Sequence, residues 1–299
     1  MDGGRGMGMR LHNTATERTY RYVRLSIVGA VVLLGVGIAV ATWVDGPLGS
    51  VSATYYSSAH DVFVGSIFAI AISLVALSGD SLEQVLLDYM AICAPVIAVV
   101  PPLIAAGEVP GSTCPETAPC IPSVFLPQIW TATTSLVIVG VLGVLLALVL
   151  TVVQGRMTPA RGLALAGAAA IVVTFGLWAW LAPASYLAGA HVTAASIFFG
   201  LIVVIAVFSA IRAYRVCRTP RGGTVYRTLY TAVATGIALA VLFLLTVIAL
   251  TLAGVEAVVN SPVPLVFVGE VVALGLFAVF WTTQTIQLWD GEPERSDAG

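Results

Sequence analysis

The sequence contains no lysine, because all 13 of its basic residues are arginine. A lysine amine forms the Schiff base that holds retinal or pyridoxal phosphate, and a lysine contacts the phosphates in a P-loop. Retinal-dependent pumps, pyridoxal-phosphate enzymes and P-loop ATPases are therefore excluded for this chain.

Charge of either sign is also scarce. Charged residues make up 9% of the 299 residues, and apolar residues make up 59%. Typical globular proteins have about 25% charged and roughly 45–50% apolar residues. So few polar side chains cannot cover the surface of a soluble fold, and lipid must replace water around much of the chain. We predict an all-α, polytopic membrane protein whose partners are membrane lipids and not nucleic acid.

Long apolar runs are abundant, and eight of them approach the roughly 20 residues that cross the hydrocarbon core of a bilayer. They cover residues 25–44, 62–77, 85–106, 131–153, 162–181, 187–211, 228–254 and 263–288. We assign residues 1–24 to an arginine-bearing N-terminal tail and residues 289–299 to an acidic, disordered C-terminal tail. The fold class predicted is a transmembrane bundle of about eight helices.

The arginines predict the orientation of this bundle. With eight spans, every arginine falls in residues 1–24, 154–161, 212–227 or 289–299, which all lie on one face of the membrane. The positive-inside rule places that face in the cytoplasm. We therefore expect a multipass protein of the plasma membrane, with both termini cytoplasmic and no basic residue in the outer loops.

The N-terminus leaves one alternative open. The first apolar run ends in Ala39, Val40 and Ala41, a small-residue pattern that signal peptidase can cleave. The run is longer than the ~7–15 residues of a signal-peptide core, which favours an uncleaved first span. A mature N-terminus at Thr42 would leave seven spans.

Two of the four cysteines bracket the largest predicted outer loop, in the sequence Cys-Pro-Glu-Thr-Ala-Pro-Cys. The predicted topology puts Cys114 and Cys120 in an oxidising compartment, where a short disulfide forms readily. We predict that these two cysteines are joined, with two free thiols as the alternative. Cys217 falls in an inner loop, where the cytosol keeps thiols reduced.

Four ionisable residues map to the outer ends of predicted spans and are candidates for a functional site: His60, Asp61, His191 and Glu270. Ionisable groups at membrane depth are costly and mark function by default. Glu270 lies about two turns, or roughly 12 Å, below the outer end of its span, where no arginine can reach it. Its carboxyl therefore needs a histidine, hydroxyl groups, a bound cation or a proton.

The two histidines occupy similar places. Each opens an even-numbered span, and each is followed by Ser-Ile-Phe, beginning at Ser66 and Ser196. This pairing of spans 2 and 6 suggests two parallel halves of four helices, an arrangement found in some transporters.

Three functions remain open for the outer residues. Transport of a small solute or ion, coupled to a proton or cation, would use protonation of Glu270 and a histidine. A zinc-dependent hydrolase acting on lipid would use His60 and His191 with Asp61 or Glu270 as ligands. Such hydrolases include the alkaline ceramidase and adiponectin-receptor group, but the His-x-x-x-His pair they carry is absent, since residue 195 is Ala. A purely structural or interaction role, with no cofactor, is the third.

Several segments resemble a group of uncharacterised bacterial multipass membrane proteins. The matching segments are a Tyr-rich loop at 52–58, a Val-Phe-Val-Gly helix start at 62–65, a His followed by small residues and Phe at 191–199, the run Arg215, Val216 and Cys217, and a last span with Glu270 at 264–280. His60 replaces an arginine of the first motif. The resemblance implies a multipass architecture and directs interest to His191 and Glu270, without implying a reaction.

Overall fold

The structure is a computed structural model that describes residues 13–79, 81–109, 114–116, 118–216 and 220–289, without the side chains of 13–17, 214–216 and 220–221. Both chain ends beyond these ranges, and Cys217 of the inner loop, lie outside the described residues. In the described part the fold is all helical, with no strand.

The described residues form nine α-helices. They are α1 (Asn13–Val44), α2 (His60–Ala76), α3 (Leu82–Val99), α4 (Leu126–Val153), α5 (Pro159–Leu181), α6 (Pro183–Val216), α7 (Pro220–Leu252), α8 (Glu256–Val259) and α9 (Leu265–Gln287). Seven are long and apolar enough to cross a membrane, and α2 is apolar but has only 17 residues. The chain is therefore a helical multipass membrane protein. The count of eight spans stays a prediction.

Helix α3 ends earlier than the predicted span, at Val99 instead of Ala106. Two prolines follow, Pro101 and Pro102, which lack an N–H and disfavour helical geometry in the residue before them. Val100 accordingly takes an extended conformation. Its carbonyl group is left without a helical donor, so it can accept a hydrogen bond from another element.

Six helices close into a ring. Each packs against the next in the order α1, α2, α3, α6, α7, α9, and α9 packs against α1. Helices α4 and α5 pack on each other and cover α3 and α6 from outside the ring. The predicted duplication is therefore wrong. Two equivalent halves that match α2 with α6 would also match the preceding helices, α1 and α5, but α1 belongs to the ring and α5 lies outside it. The shared Ser-Ile-Phe lies in the interior of two apolar helices, at 66–68 of α2 and 196–198 of α6.

One end of the bundle carries the α1–α2, α3–α4, α5–α6 and α7–α9 connections. The Phe267 N–H in the first turn of α9 donates to Gly49 O in the α1–α2 connection at 3.2 Å. The Trp178 indole near the end of α5 donates to Ser185 at the start of α6 at 3.1 Å. We call this the predicted outer end.

The opposite end, the predicted inner end, carries the arginines. Arg212 near the end of α6 forms an ion pair with Glu83 at the start of α3. Tyr230 near the start of α7 donates to Gln287 at the end of α9 at 2.6 Å. The arginines whose side chains the structure describes all lie at this end, namely Arg18, Arg21, Arg24, Arg156, Arg161, Arg212 and Arg227.

Candidate functional site

The connection between α1 and α2 folds back into the predicted outer end of the ring. The chain turns at Gly46, whose φ of +100° suits glycine. Residues 50–55 are then all buried, and Ser52–Tyr56 forms a 3₁₀ turn. Ser50 Oγ accepts a hydrogen bond from the Ala53 N–H at 2.9 Å at the start of this turn. We call residues 50–56 the plug.

Neighbouring elements hold the plug through its two tyrosines. The Tyr56 hydroxyl donates to the carbonyl oxygen of Pro102 at 2.9 Å. Gln128 of α4 donates from Nε2 to the Tyr55 hydroxyl at 3.0 Å. The peripheral helix α4 therefore contributes a contact to the closed end of the ring.

Glu270 of α9 binds the plug through both carboxyl oxygens. Oε2 accepts the Val51 N–H at 2.6 Å and the Ser52 N–H at 3.3 Å. Oε1 lies 2.6 Å from the Ser52 hydroxyl oxygen. The half-buried carboxyl is therefore satisfied by loop donors, without an arginine.

His191 of α6 approaches the same serine from the other side. Its Nε2 lies 2.9 Å from Ser52 Oγ, and its Nδ1 lies 2.7 Å from the carbonyl oxygen of Val100. Since a carbonyl oxygen can only accept, Nδ1 carries a hydrogen and donates it. Because α3 ends at Val99, the Val100 carbonyl is available to orient the imidazole. Ser52 links His191 to Glu270.

A cavity of about 120 Å³ lies inside the six-helix ring, beneath the plug. Every helix of the ring contributes to its wall, and the wall is predominantly apolar, with aromatic residues such as Phe63, Phe199 and Phe277. Ser52, His191 and Glu270 also line it. The polar cluster therefore closes one end of an apolar chamber.

The structure does not bring His60 and Asp61 into this cluster. His60 contacts the plug elsewhere, with Nδ1 2.6 Å from the Tyr55 carbonyl oxygen and its ring 4.4 Å from the Tyr55 ring centroid. Asp61 is exposed. Of the four predicted candidates, His191 and Glu270 meet and the other two lie apart.

The donor set does not fit zinc as it is arranged. The His191 Nδ1 is used on a backbone carbonyl, and Oε2 of Glu270 already accepts two N–H groups. Zinc needs three or four ligand lone pairs aimed at one point. Among the described residues no group of three or more His, Cys, Asp or Glu residues could hold a metal ion.

Cys114 and Cys120, for which the sequence predicts a disulfide, are joined by one. The bridge lies beside Ile104, which exchanges backbone hydrogen bonds with Cys120 at 2.9 and 3.0 Å. The largest predicted outer loop is therefore tied down next to the end of α3.

Sequence reasoning missed Ser52 and the Val100 carbonyl. Ser52 stands in the Tyr-rich segment that carries the family resemblance, but a serine in a loop has no distinctive pattern. The double proline after Val100 does predict a carbonyl group without a helical donor, because a helix that ends there leaves its last acceptors unpaired. Which donor meets that carbonyl depends on the packing of α6 against α3.

Comparison of the chain with known protein families, curated proteins and solved structures finds no match.

Proposed function

We propose that the protein transports a small solute across the membrane through the ring cavity, with the plug as its outer gate and with coupling to a proton or cation at the His191 and Glu270 cluster. One observation carries this proposal: a loop, rather than a helix, forms the wall at one end of the chamber, and two side chains from different helices hold that loop. A loop can leave such a position without unpacking the ring.

The hydrogen bonds that hold the plug are weak enough in free energy to be broken and re-formed in a transport cycle. A neutral hydrogen bond contributes about 0.5–1.5 kcal/mol, and one to a charged group about 1.5–3 kcal/mol. The contacts of Glu270 and His191 with residues 51 and 52 therefore amount to a few kcal/mol. Conformational equilibria of this size respond to one ligand or one protonation event.

The cavity favours a compact, largely apolar solute that carries a cationic or hydrogen-bonding group. Its volume of about 120 Å³ is close to the ~150 Å³ of an engineered protein cavity that binds benzene. Phe63, Phe199 and Phe277 line its wall, and aromatic faces attract quaternary ammonium cations. The chain places no basic residue in the predicted outer loops. A small quaternary cation such as tetramethylammonium, which has fewer heavy atoms than benzene, matches both features.

The direct test is uptake of radiolabelled tetramethylammonium by proteoliposomes under a pH gradient imposed in either direction. Ala195 lines the cavity, so Ala195→Phe should fill it and abolish uptake. Thr193, on the same helix, is exposed, and Thr193→Phe is the matched control that should keep uptake. Uptake no faster than in empty liposomes under both gradients, with folded protein, would overturn the proposal.

A second candidate is hydrolysis of a lipid ester with Ser52 as the nucleophile. The distance of 2.9 Å between Ser52 Oγ and His191 Nε2 is that of a nucleophile and its general base. The Val51 and Ser52 N–H groups, which would stabilise an oxyanion, are occupied by Glu270. Labelling of Ser52 by a fluorophosphonate, lost in His191→Ala, would support this candidate, and absence of labelling would exclude it.

A further inference from the structure

We infer that His191, Ser52 and Glu270 bind one shared proton, and that this proton is the coupling ion of the transport proposed above. The link to transport rests on the proposed function. The proton itself follows from counting donors and acceptors in the cluster.

The hydroxyl of Ser52 has one hydrogen and two neighbours that need it. Oε1 of Glu270 lies 2.6 Å away and Nε2 of His191 lies 2.9 Å away. With an ionised carboxyl and a neutral imidazole whose hydrogen is on Nδ1, both neighbours present lone pairs. One of the two contacts would then set a lone pair against a lone pair, which is repulsive at these distances.

One additional proton turns both contacts into hydrogen bonds. In the first arrangement, the protonated Glu270 donates to Ser52, and Ser52 donates to Nε2 of neutral His191. In the second, protonated His191 donates from Nε2 to Ser52, and Ser52 donates to the ionised Glu270. Shifting two hydrogens along the chain converts one arrangement into the other. Both have zero net charge, which lowers the cost of burial.

A metal cation fits the cluster less well than a proton. Cations need several oxygen or nitrogen lone pairs around one point. Here the Val51 and Ser52 N–H groups point at Oε2 of Glu270, and their positive hydrogens would repel a cation at that oxygen. The carboxyl that a cation would need is already surrounded by donors.

Among the described residues, no arginine lies near the cluster to replace the shared proton. The arginines of the described helices lie at the predicted inner end. At the predicted outer end the other ionisable groups of the described residues are Asp45, Tyr55, Tyr56, His60, Asp61, Glu108, Glu116, Tyr186 and Glu256. The Glu108 carboxyl binds the Ala105 N–H at 2.9 Å, and Asp45 binds Ser58 at 2.7 and 2.8 Å. These acids add negative charge to the predicted outer end, so a proton is favoured over its absence.

Movement of the plug would release the proton. Ser52 belongs to the plug, whereas His191 and Glu270 belong to α6 and α9. When the plug leaves, the hydroxyl that bridges the two side chains leaves with it, and water can solvate each group separately. Opening of the gate and loss of the proton are therefore one event.

The experiment measures the protonation state of the cluster in purified protein, with no solute present. Infrared difference spectra at neutral pH report the C=O stretch of a protonated carboxyl, and nitrogen NMR of histidine-labelled protein reports whether both ring nitrogens of His191 carry hydrogen. We expect at least one of the two signals, and we expect Glu270→Gln to remove it. Absence of both signals in the wild-type protein would overturn the inference.

Two variants of Ser52 in the plug distinguish the effect of losing the bridging hydroxyl from the effect of disturbed packing. Ser52→Ala removes the bridge and should abolish the proton signal, whereas Ser52→Thr keeps a hydroxyl and should restore it. Thr54→Val is the matched control, because the Thr54 hydroxyl in the same plug is buried and has no hydrogen-bond partner among the described residues. A signal that survives Ser52→Ala, or is lost in Thr54→Val, contradicts the bridge.

These measurements separate the inference from the proposed function. A proton signal with the expected variant pattern, in a protein without tetramethylammonium uptake, leaves the proton site standing and removes the transport role. Uptake without a proton signal leaves transport and removes the proton as coupling ion.

Discussion

Two glutamates at opposite ends of the molecule are stabilised in different ways. Glu83, at the predicted inner end, pairs with Arg212, whose guanidinium is always charged. Glu270, at the predicted outer end, is bound by two backbone N–H groups and a serine hydroxyl. A carboxyl paired with a permanent cation keeps its charge, whereas one bound by neutral donors on a loop can exchange a proton and release the loop. The difference in partners separates a fixed structural contact from a reversible one.

Truncating the two glutamates is the strongest test of this contrast. Glu270→Ala leaves the Val51 and Ser52 N–H groups without a partner, and each unpaired buried donor costs about 1–3 kcal/mol. Glu83→Ala removes an ion pair of an arginine whose side chain is 34% exposed, so we expect a loss of about 1 kcal/mol or less. Thermal unfolding in detergent, with hydrogen exchange of the plug amides, measures both effects. Equal losses in the two variants would remove the contrast.

A second test concerns the close approach of α7 to α9 beside the cluster. A Cβ added at Gly269 would lie 2.6 Å from Leu244 and 3.1 Å from Phe243. Gly269→Ala should therefore push α7 outwards and destabilise the fold by about 1–3 kcal/mol. Gly275, on the same helix, has nothing within 4 Å, so Gly275→Ala should be neutral or stabilising by up to about 1 kcal/mol. The unfolding midpoints of the two variants are compared with that of the wild-type protein. An equal shift in both would argue against close packing of α7 on α9 at Gly269.

These examples also show what the sequence could predict. The apolar runs predicted the long helices, because only helices satisfy the backbone inside lipid. The arginines predicted which helix ends meet. The meeting of His191 with Glu270 was only a hypothesis, since their separation along the chain carries no information about helix packing. Ser52 could not be predicted, because its importance comes from a loop that folds back into a ring.

A helix cap at the start of α3, at the predicted inner end, offers a test that does not involve the plug. The Ser81 side chain accepts the Gln84 N–H, and Gln84 accepts the Ser81 N–H in return. Ser81→Ala should cost about 1 kcal/mol of stability, as expected for loss of a helix cap. Because this cap lies far from the plug, hydrogen exchange at residues 50–53 should stay unchanged relative to global unfolding. Selective exposure of the plug would show that the two ends are coupled.

The smallest expected effect lies at the base of the plug loop, where Asp45 accepts the Ser58 N–H and hydroxyl at 2.8 and 2.7 Å. These hydrogen bonds, the backbone one foremost, hold the pKa of the exposed Asp45 carboxyl below its usual value. A depressed pKa means that the contact stabilises the loop above the pKa of the unfolded chain, and that this stabilisation is lost as the pH falls through the lower folded value. Acid should therefore loosen the Ser58 amide in the wild-type protein.

In Asp45→Asn the side-chain amide of residue 45 does not titrate, so acid should have no such effect through this contact. Hydrogen exchange of Ser58 in both proteins, compared at equal pH so that the intrinsic rate cancels, measures the difference. If both lose protection equally in acid, the loosening originates at the proton-binding cluster and not at the base of the loop.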